Sequence, residues 1–482
     1  MAAPMMNPNK GESRTPLAGE LNSLKICLGL PGSIDPEGEP RKFTSVIFEV
    51  TVEGRHEKTL ECSAREVGLP QNVTLTRTTR FEESALQLPE HILSSLDEIV
   101  PHTGVPLWLS FPLPCGYLPA VPWERLLRAR MSDPPILRLS YNPVQPITPR
   151  DSRDIAVCFS FARAKDSFLI RTPQEILAYF FDDFPENIAR YTTFHLFTDS
   201  SLYDAATKLR DQYRGIYKIE LYDPGQAEGL SKADPNAPDS DTDPLDSQWM
   251  RWVRGALGTR SVDIVHFVCH GYLGREDGFI ALSESPVADE DSGFARFAGA
   301  RQVCALLDQV GAWSVAFSSP PGNYSTIGMR LLQDQVSRNR PGPVLYHDMP
   351  NDPSKEGLHE AYQFAYAIEE AYPPHSPEVS VSCHPDWAMP WTESDAASRQ
   401  LLNELTLAGS MEEVLEGSEN TPSWLASGQR ALETSLGSLV SKCQDNQERV
   451  LDSGVAEALR FTAKLLLEHA QSLRTAPKEE AK

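Results

Sequence analysis

Three residues of this 482-residue chain have the types and spacing for nucleophilic chemistry: His270, Gly271 and Ser319. In "VDIVHFVCHGYLGREDGFIAL" (262–282) an apolar run stops at Cys269-His270-Gly271. An imidazole at a strand end is placed to take a proton. The glycine behind it lets a backbone N–H approach a substrate carbonyl as an oxyanion donor. After one loop and one helical stretch, the strand-like run "WSVAF" (313–317) ends at Ser318-Ser319, followed by "PPGNYS". If His270 and Ser319 leave neighbouring strands side by side, they form a base and a nucleophile. A serine hydroxyl also needs its base oriented by a third group, and Asp263, Asp277 and Glu284 lie near in sequence. Pro320 has no N–H, which thins the backbone donors just past Ser319. The plainer reading makes His270 a packed strand-end histidine and Ser318-Ser319 an ordinary turn. His266, inside "IVHFV", reads as a hydrogen-bonded core residue. Cys269 alternates to the face opposite His270, so it does not replace the nucleophile.

The elements that must position these residues follow two rhythms. From Leu24 to about Asn142, "LKICLGL", "SVIFEVTVEG" and "VPLWLSFPL" are β-branched and aromatic runs between Gly, Pro and Asp breaks, and read as strands. "QLPEHILSSLDEIV" (87–100) has helical spacing. From Asp154, strand-like runs ("DIAVCFSF", "YTTFHLF", "IYKIELYD", "VDIVHFVCH", "AWSVAFSS", "GPVLYHDM") alternate with amphipathic helices, ending on "EGLHEAYQFAYAIEEAY". Such alternation means βαβ units and a parallel sheet covered on both faces. "NPVQPITPRDSRD" (142–154) is a linker, and "KADPNAPDSDTDPLD" (232–246) and "SESPVADEDSG" (283–293) are acidic solvated loops. The organisation is therefore a disordered tail (1–20), a β-rich N-terminal part (21–150), an α/β part (151–385), a helical extension (386–475) and a charged tail (476–482). The Leu stripes of the extension read first as core packing, or otherwise as a partner groove.

Forty-four basic against sixty-seven acidic side chains leave a net charge of -23, which repels phosphate backbones and anionic lipid surfaces. Nucleic acid and membrane are thus not expected partners. Eight cysteines without a CxxC pair read as reduced thiols in a reducing compartment. The one tempting metal pair, Cys383-His384, points to opposite faces of an extended chain. No metal or other cofactor is expected. No secretory leader and no run of about 20 apolar residues is visible, so a soluble, cytoplasmic protein is expected.

The chain resembles the CHAT domain, the caspase- and separase-related peptidase fold, over about residues 24 to 370. The resemblance is carried by "GYLPAVPWERLL" (116–127), similar to the family's Leu-Pro-Trp-Glu-x-Leu segment, and by "DIVHFVCHG" (263–271), similar to its strand-plus-His-Gly motif. "GFIALSE" (278–284) is similar to the strand that follows. "VAFSSPPG" (315–322) falls at the nucleophile turn, and "IGMRLLQDQV" (327–336) at the helix behind it. It implies a caspase-like parallel sheet flanked by helices, and action on protein substrates in signalling or defence systems after a partner triggers it. Trp123 and Glu124 would then serve packing and a buried or capping carboxylate. With Gly322 aligned, Ser319 stands where the family has its catalytic cysteine. Three explanations compete: a natural pseudo-peptidase kept as a protein-interaction or regulatory module, a cysteine-type endopeptidase carrying a Cys-to-Ser trap at 319, or a serine nucleophile. A scaffold working through its C-terminal helices is a further alternative. The expected partner is a protein or peptide.

Overall fold

The computed structural model describes residues 21–33, 41–71, 85–102, 104–113, 115–140, 152–161, 172–182, 184–228, 245–274, 277–287, 294–320, 326–366 and 372–388. The N-terminal tail, the acidic segment 229–244, Pro321-Gly322, and the helical extension and tail from 389 on lie outside the described residues.

The N-terminal half contributes strands β1 (Asn22–Gly29), β2 (Ser45–Val52) and β3 (Arg55–Ser63), helix α1 (Glu90–Ile99), strand β4 (Leu107–Ser110), helix α2 (Trp123–Arg128) and strand β5 (Ile136–Leu139). β2 and β3 form a hairpin closed by Glu53-Gly54, both at positive φ (48° and 75°), as a tight two-residue turn that follows strand twist requires. The second half contributes β6 (Arg153–Ser160), α3 (Pro173–Phe181), α4 (Glu186–Ala189), β7 (Thr192–Thr198), α5 (Tyr203–Gln212), β8 (Lys218–Leu221) and α6 (Gln248–Leu257). It continues with β9 (Ile264–Leu273), β10 (Gly278–Ser283), β11 (Ala295–Gly299), α7 (Ala300–Val310), β12 (Ser314–Ser319), α8 (Thr326–Asn339), β13 (Val344–Asp348), α9 (Glu356–Tyr366) and β14 (Val379–Cys383).

The fold is mixed α/β, with a largely parallel central sheet flanked by helices. The strands run β3-β2-β1-β4-β5-β14-β13-β12-β9-β6-β7-β8 in one continuous sheet. From β6 the chain winds outward to β7 and β8. It then returns to the other side of β6 and winds outward again through β9, β12 and β13, all parallel. The winding therefore reverses between β6 and β9, the switch point of a doubly wound sheet.

Alternation along the central strands builds two cores. Ile155, Val157, Phe159, Ile264, Val268, Ala316 and Leu345 pack with side chains of α3, α4, α5 and α9. Ala156, Cys158, Val265, Phe267, Cys269, Val315 and Phe317 pack on the other face with α6, α7 and α8. Strands buried on both faces read as continuous apolar runs, which is why "DIVHFV" shows no period of two.

Two elements depart from the sequence reading. The series does not end at α9: "VSVSC" forms β14, antiparallel to β13 and parallel to β5, and so joins the N-terminal strands to the same sheet. "ARFAG" forms β11, which pairs with β10 outside the main strand path. Both are five residues long. Pairing across the fold, not local pattern, makes them strands.

Candidate functional site

The carboxyl ends of β6, β9, β12 and β13 carry the residues singled out in the sequence. β9 does not stop at Cys269-Gly271 as its apolar pattern suggested. Its parallel ladder ends at Val268, opposite Ser318, and at Cys269, opposite Ser160. From His270 on it pairs antiparallel with β10, His270 against Ala281, Gly271 against Ile280 and Leu273 against Gly278. Backbone groups past the parallel ladder still need partners, and the apolar "GFIAL" folds back to supply them. Helix α8 then presses on this ribbon. A Cβ on Gly328 would lie 2.2 Å from the Tyr272 carbonyl oxygen, and one on Gly278 2.0 Å from the Gly328 carbonyl oxygen.

His270 is thus the first residue beyond the parallel ladder, beside the switch point, but it is not displayed. It is 5% exposed and lies edge-on to Phe161, ring centroids 6.2 Å apart. Burial lowers its pKa from 6.5 to about 4, so the ring stays neutral near neutral pH. Gly271 is a ladder residue opposite Ile280 and not a free strand end.

Ser319 pairs with Asp348 of β13. Since Ser318 lies opposite Val268, Ser319 is beside Cys269 and next to His270 along the neighbouring strand. Side-chain direction separates them. Val315 and Phe317 belong to the core under α7 and α8, whereas Ala316 belongs to the core under α9. Alternation places Ser319 with the former pair and Ser318 on the face of His266, Val268 and His270.

Ser318 is the hydroxyl that meets imidazoles. Its Oγ lies 2.8 Å from His266 Nε2 and 3.0 Å from His347 Nδ1. His347 Nε2 lies 3.2 Å from Asp352 Oδ2, and His266 Nδ1 is bonded to the Tyr362 hydroxyl. All five residues are buried. Asp352 Oδ2 also accepts the backbone N–H of Leu358, at 3.0 Å, in the first turn of α9. Burial opposes ionisation of Asp352, but hydrogen bonds from His347, the Leu358 N–H and Ser354 outweigh it and hold the carboxyl below its ordinary range. Burial first, and His347 second, push His266 well below the ordinary imidazole value. The sequence reading of His266 as a hydrogen-bonded core residue matches this arrangement. His347, Asp352 and Tyr362 went unnoticed. The available signal was "VLYHD", a third successive strand ending on a titratable pair.

Ser318, His347 and Asp352 are the residue types of a hydrolytic triad, but the setting opposes that chemistry. Ser318 is fully buried inside a parallel strand with partners on both sides, where the ladders occupy the backbone. Beyond it the edge carries a compact charge cluster. Asp348 accepts from Arg125 at 2.8 Å, Arg330 at 3.1 Å and Asn351 at 3.0 Å, and Glu378 accepts from Arg125 at 2.7 Å.

Trp123 and Glu124 precede Arg125 on α2 and are buried. Trp123 is fully buried, donates Nε1–H to the Leu118 carbonyl at 2.7 Å and packs edge-on against Phe48. Glu124 forms a buried two-point pair with Arg138, at 2.7 and 3.0 Å. Among the described residues, no group of three or more His, Cys, Asp or Glu could hold a metal ion, and no helix is long and apolar enough to cross a membrane.

No protein-family model and no curated protein matches the chain.

Proposed function

We propose that this chain is a CHAT-like, caspase-like pseudo-peptidase that serves as a protein-interaction or regulatory module in a signalling or defence system. The observation that carries the reading is His270, buried, neutral and turned from Ser319 by strand alternation. A Cys–His pair works as thiolate and imidazolium, and a site that disfavours a charged imidazole disfavours both. A serine there would need a base that its hydroxyl faces, and the imidazoles on β9 lie across the sheet from it. The strand layout supports kinship with the fold: a strand carrying His-Gly, then a helix (α7), then its parallel neighbour β12 carrying residue 319. The acidic surface favours a protein or peptide partner over nucleic acid.

The test is turnover. The purified chain is incubated with an unfolded-protein substrate and a diverse peptide library, alongside Ser319→Cys and Ser319→Cys/His270→Ala. No cleavage by any form is the expected result. Cleavage by the unaltered chain, or cleavage gained by Ser319→Cys and lost again with His270→Ala, overturns the proposal. The second outcome would establish the rival reading, a cysteine-type endopeptidase with serine at 319. That rival draws its support from the position of residue 319 on the strand adjoining β9.

A further inference from the structure

The chain Tyr362–His266–Ser318–His347–Asp352 crosses one face of the sheet and has only one internally consistent proton arrangement. With both imidazoles neutral and the Asp352 carboxylate only accepting, His347 donates from Nε2 and accepts at Nδ1. Ser318 then donates to His347 and accepts at Oγ from His266 Nε2–H. His266 Nδ1 in turn accepts from the Tyr362 hydroxyl. Four links hold four hydrogens, and every ring nitrogen is used. An additional proton on His266 is accommodated only if the Tyr362 hydroxyl turns its own hydrogen out of the chain. It also leaves a charge where water does not reach.

We propose that this chain is an acid-operated latch that holds α9 and the turn before it against the sheet, and that protonation of His266 releases that segment ahead of the rest of the fold. Two of its five members belong to the segment: Tyr362 lies on α9, and Asp352 joins His347 to the first turn of α9. Neighbouring titratable groups are engaged elsewhere. His270, further along β9, lies against Phe161, and Asp348 on β13 is held by Arg125 and Arg330. Lys355 in the turn donates to the Asp182 carbonyl, and Tyr179 of α3 donates to the Asp352 carbonyl. On α9, Tyr366 accepts from Ser314 and His359 packs on Phe184, while Glu378, before β14, pairs with Arg125.

The experiment is amide hydrogen exchange of the full chain at pH 7.5 and 5.5, corrected for the intrinsic pH dependence, with peptides from α9 compared with peptides from β6. Opening exposes the His266 imidazole, whose ordinary pKa is near 6.5, so His266 alone should raise the α9 opening constant about tenfold. Glutamine keeps one acceptor and one donor without titrating, so His266→Gln should lower the rise about tenfold, His359 being common to both forms. If His266→Gln fails to fold, His266→Asn carries the test. Equal loss of protection in α9 and β6, or a rise unchanged by His266→Gln, overturns the latch.

Discussion

Acidification tests the state of His270 directly. In the unfolded chain its imidazole takes a proton near pH 6.5, whereas the folded protein resists until about pH 4 because burial penalises the cation. The folded pKa is depressed, so the unfolded state binds the extra proton as the pH falls, and stability present above about 6.5 drains away towards 4. Between pH 7.5 and 5.0 this single group should remove about 2 kcal/mol from the unfolding free energy. The assay is urea unfolding at several pH values for the unaltered chain and for His270→Gln. Taking the difference between the two cancels carboxylates and other histidines common to both. The expected result is that the stability gap between variant and parent narrows or reverses by about 2 kcal/mol at pH 5.0 relative to pH 7.5. Parallel profiles, or a His270 ring that titrates near 6.5 by NMR, would refute the reasoning. An imidazole that charges freely could also form an ion pair with a thiolate, and the argument for lost chemistry would fall with it.

Three further outcomes follow from the packing. Glu124→Ala should cost about 3–5 kcal/mol by urea unfolding, because it strands the Arg138 guanidinium in the interior; Glu124→Ala with Arg138→Met should recover much of that. Gly328→Ala should destabilise by at least about 1–3 kcal/mol and loosen the β9–β10 ribbon in hydrogen exchange, since the new methyl meets Tyr272 backbone that cannot move alone. Thr172→Ala removes the capping box that Thr172 and Glu175 form at the start of α3 and should lower thermal stability by about 0.5–2 kcal/mol; an unchanged melting temperature would show the cap to be redundant.

Much of the architecture was readable because it depends on local pattern. Alternating strand-like and helical runs after Asp154 imply a parallel sheet wrapped on both faces, and β6, β7, β8, β9, β12 and β13 take that form. "TPQE" at 172–175 announced its helix with the capping residues themselves, and the apolar spacing of 88–100 announced α1. Short strands were harder. "VSVSC" and "ARFAG" acquire their strand character from partners far away in the chain. The candidate site was legible only to the level of strands. Reading "VCHG" and "AFSS" onto neighbouring strands agrees with β9 and β12 as parallel neighbours, but β9 runs on past His270 and does not end there.

By itself, the sequence determined a doubly covered α/β sheet, an acidic surface, and strands long and apolar enough to bury both faces. These follow from hydrophobic periodicity and charge, which each segment carries on its own. Tertiary structure alone decided that His270 is buried, that β9 runs on into a ribbon with β10, and that Ser318 joins His266 and His347 on one face. Burial, protonation and side-chain contact are properties of neighbours brought together across tens to hundreds of residues. A one-residue step along β12 changes which face a hydroxyl occupies, and only the paired register fixes that step.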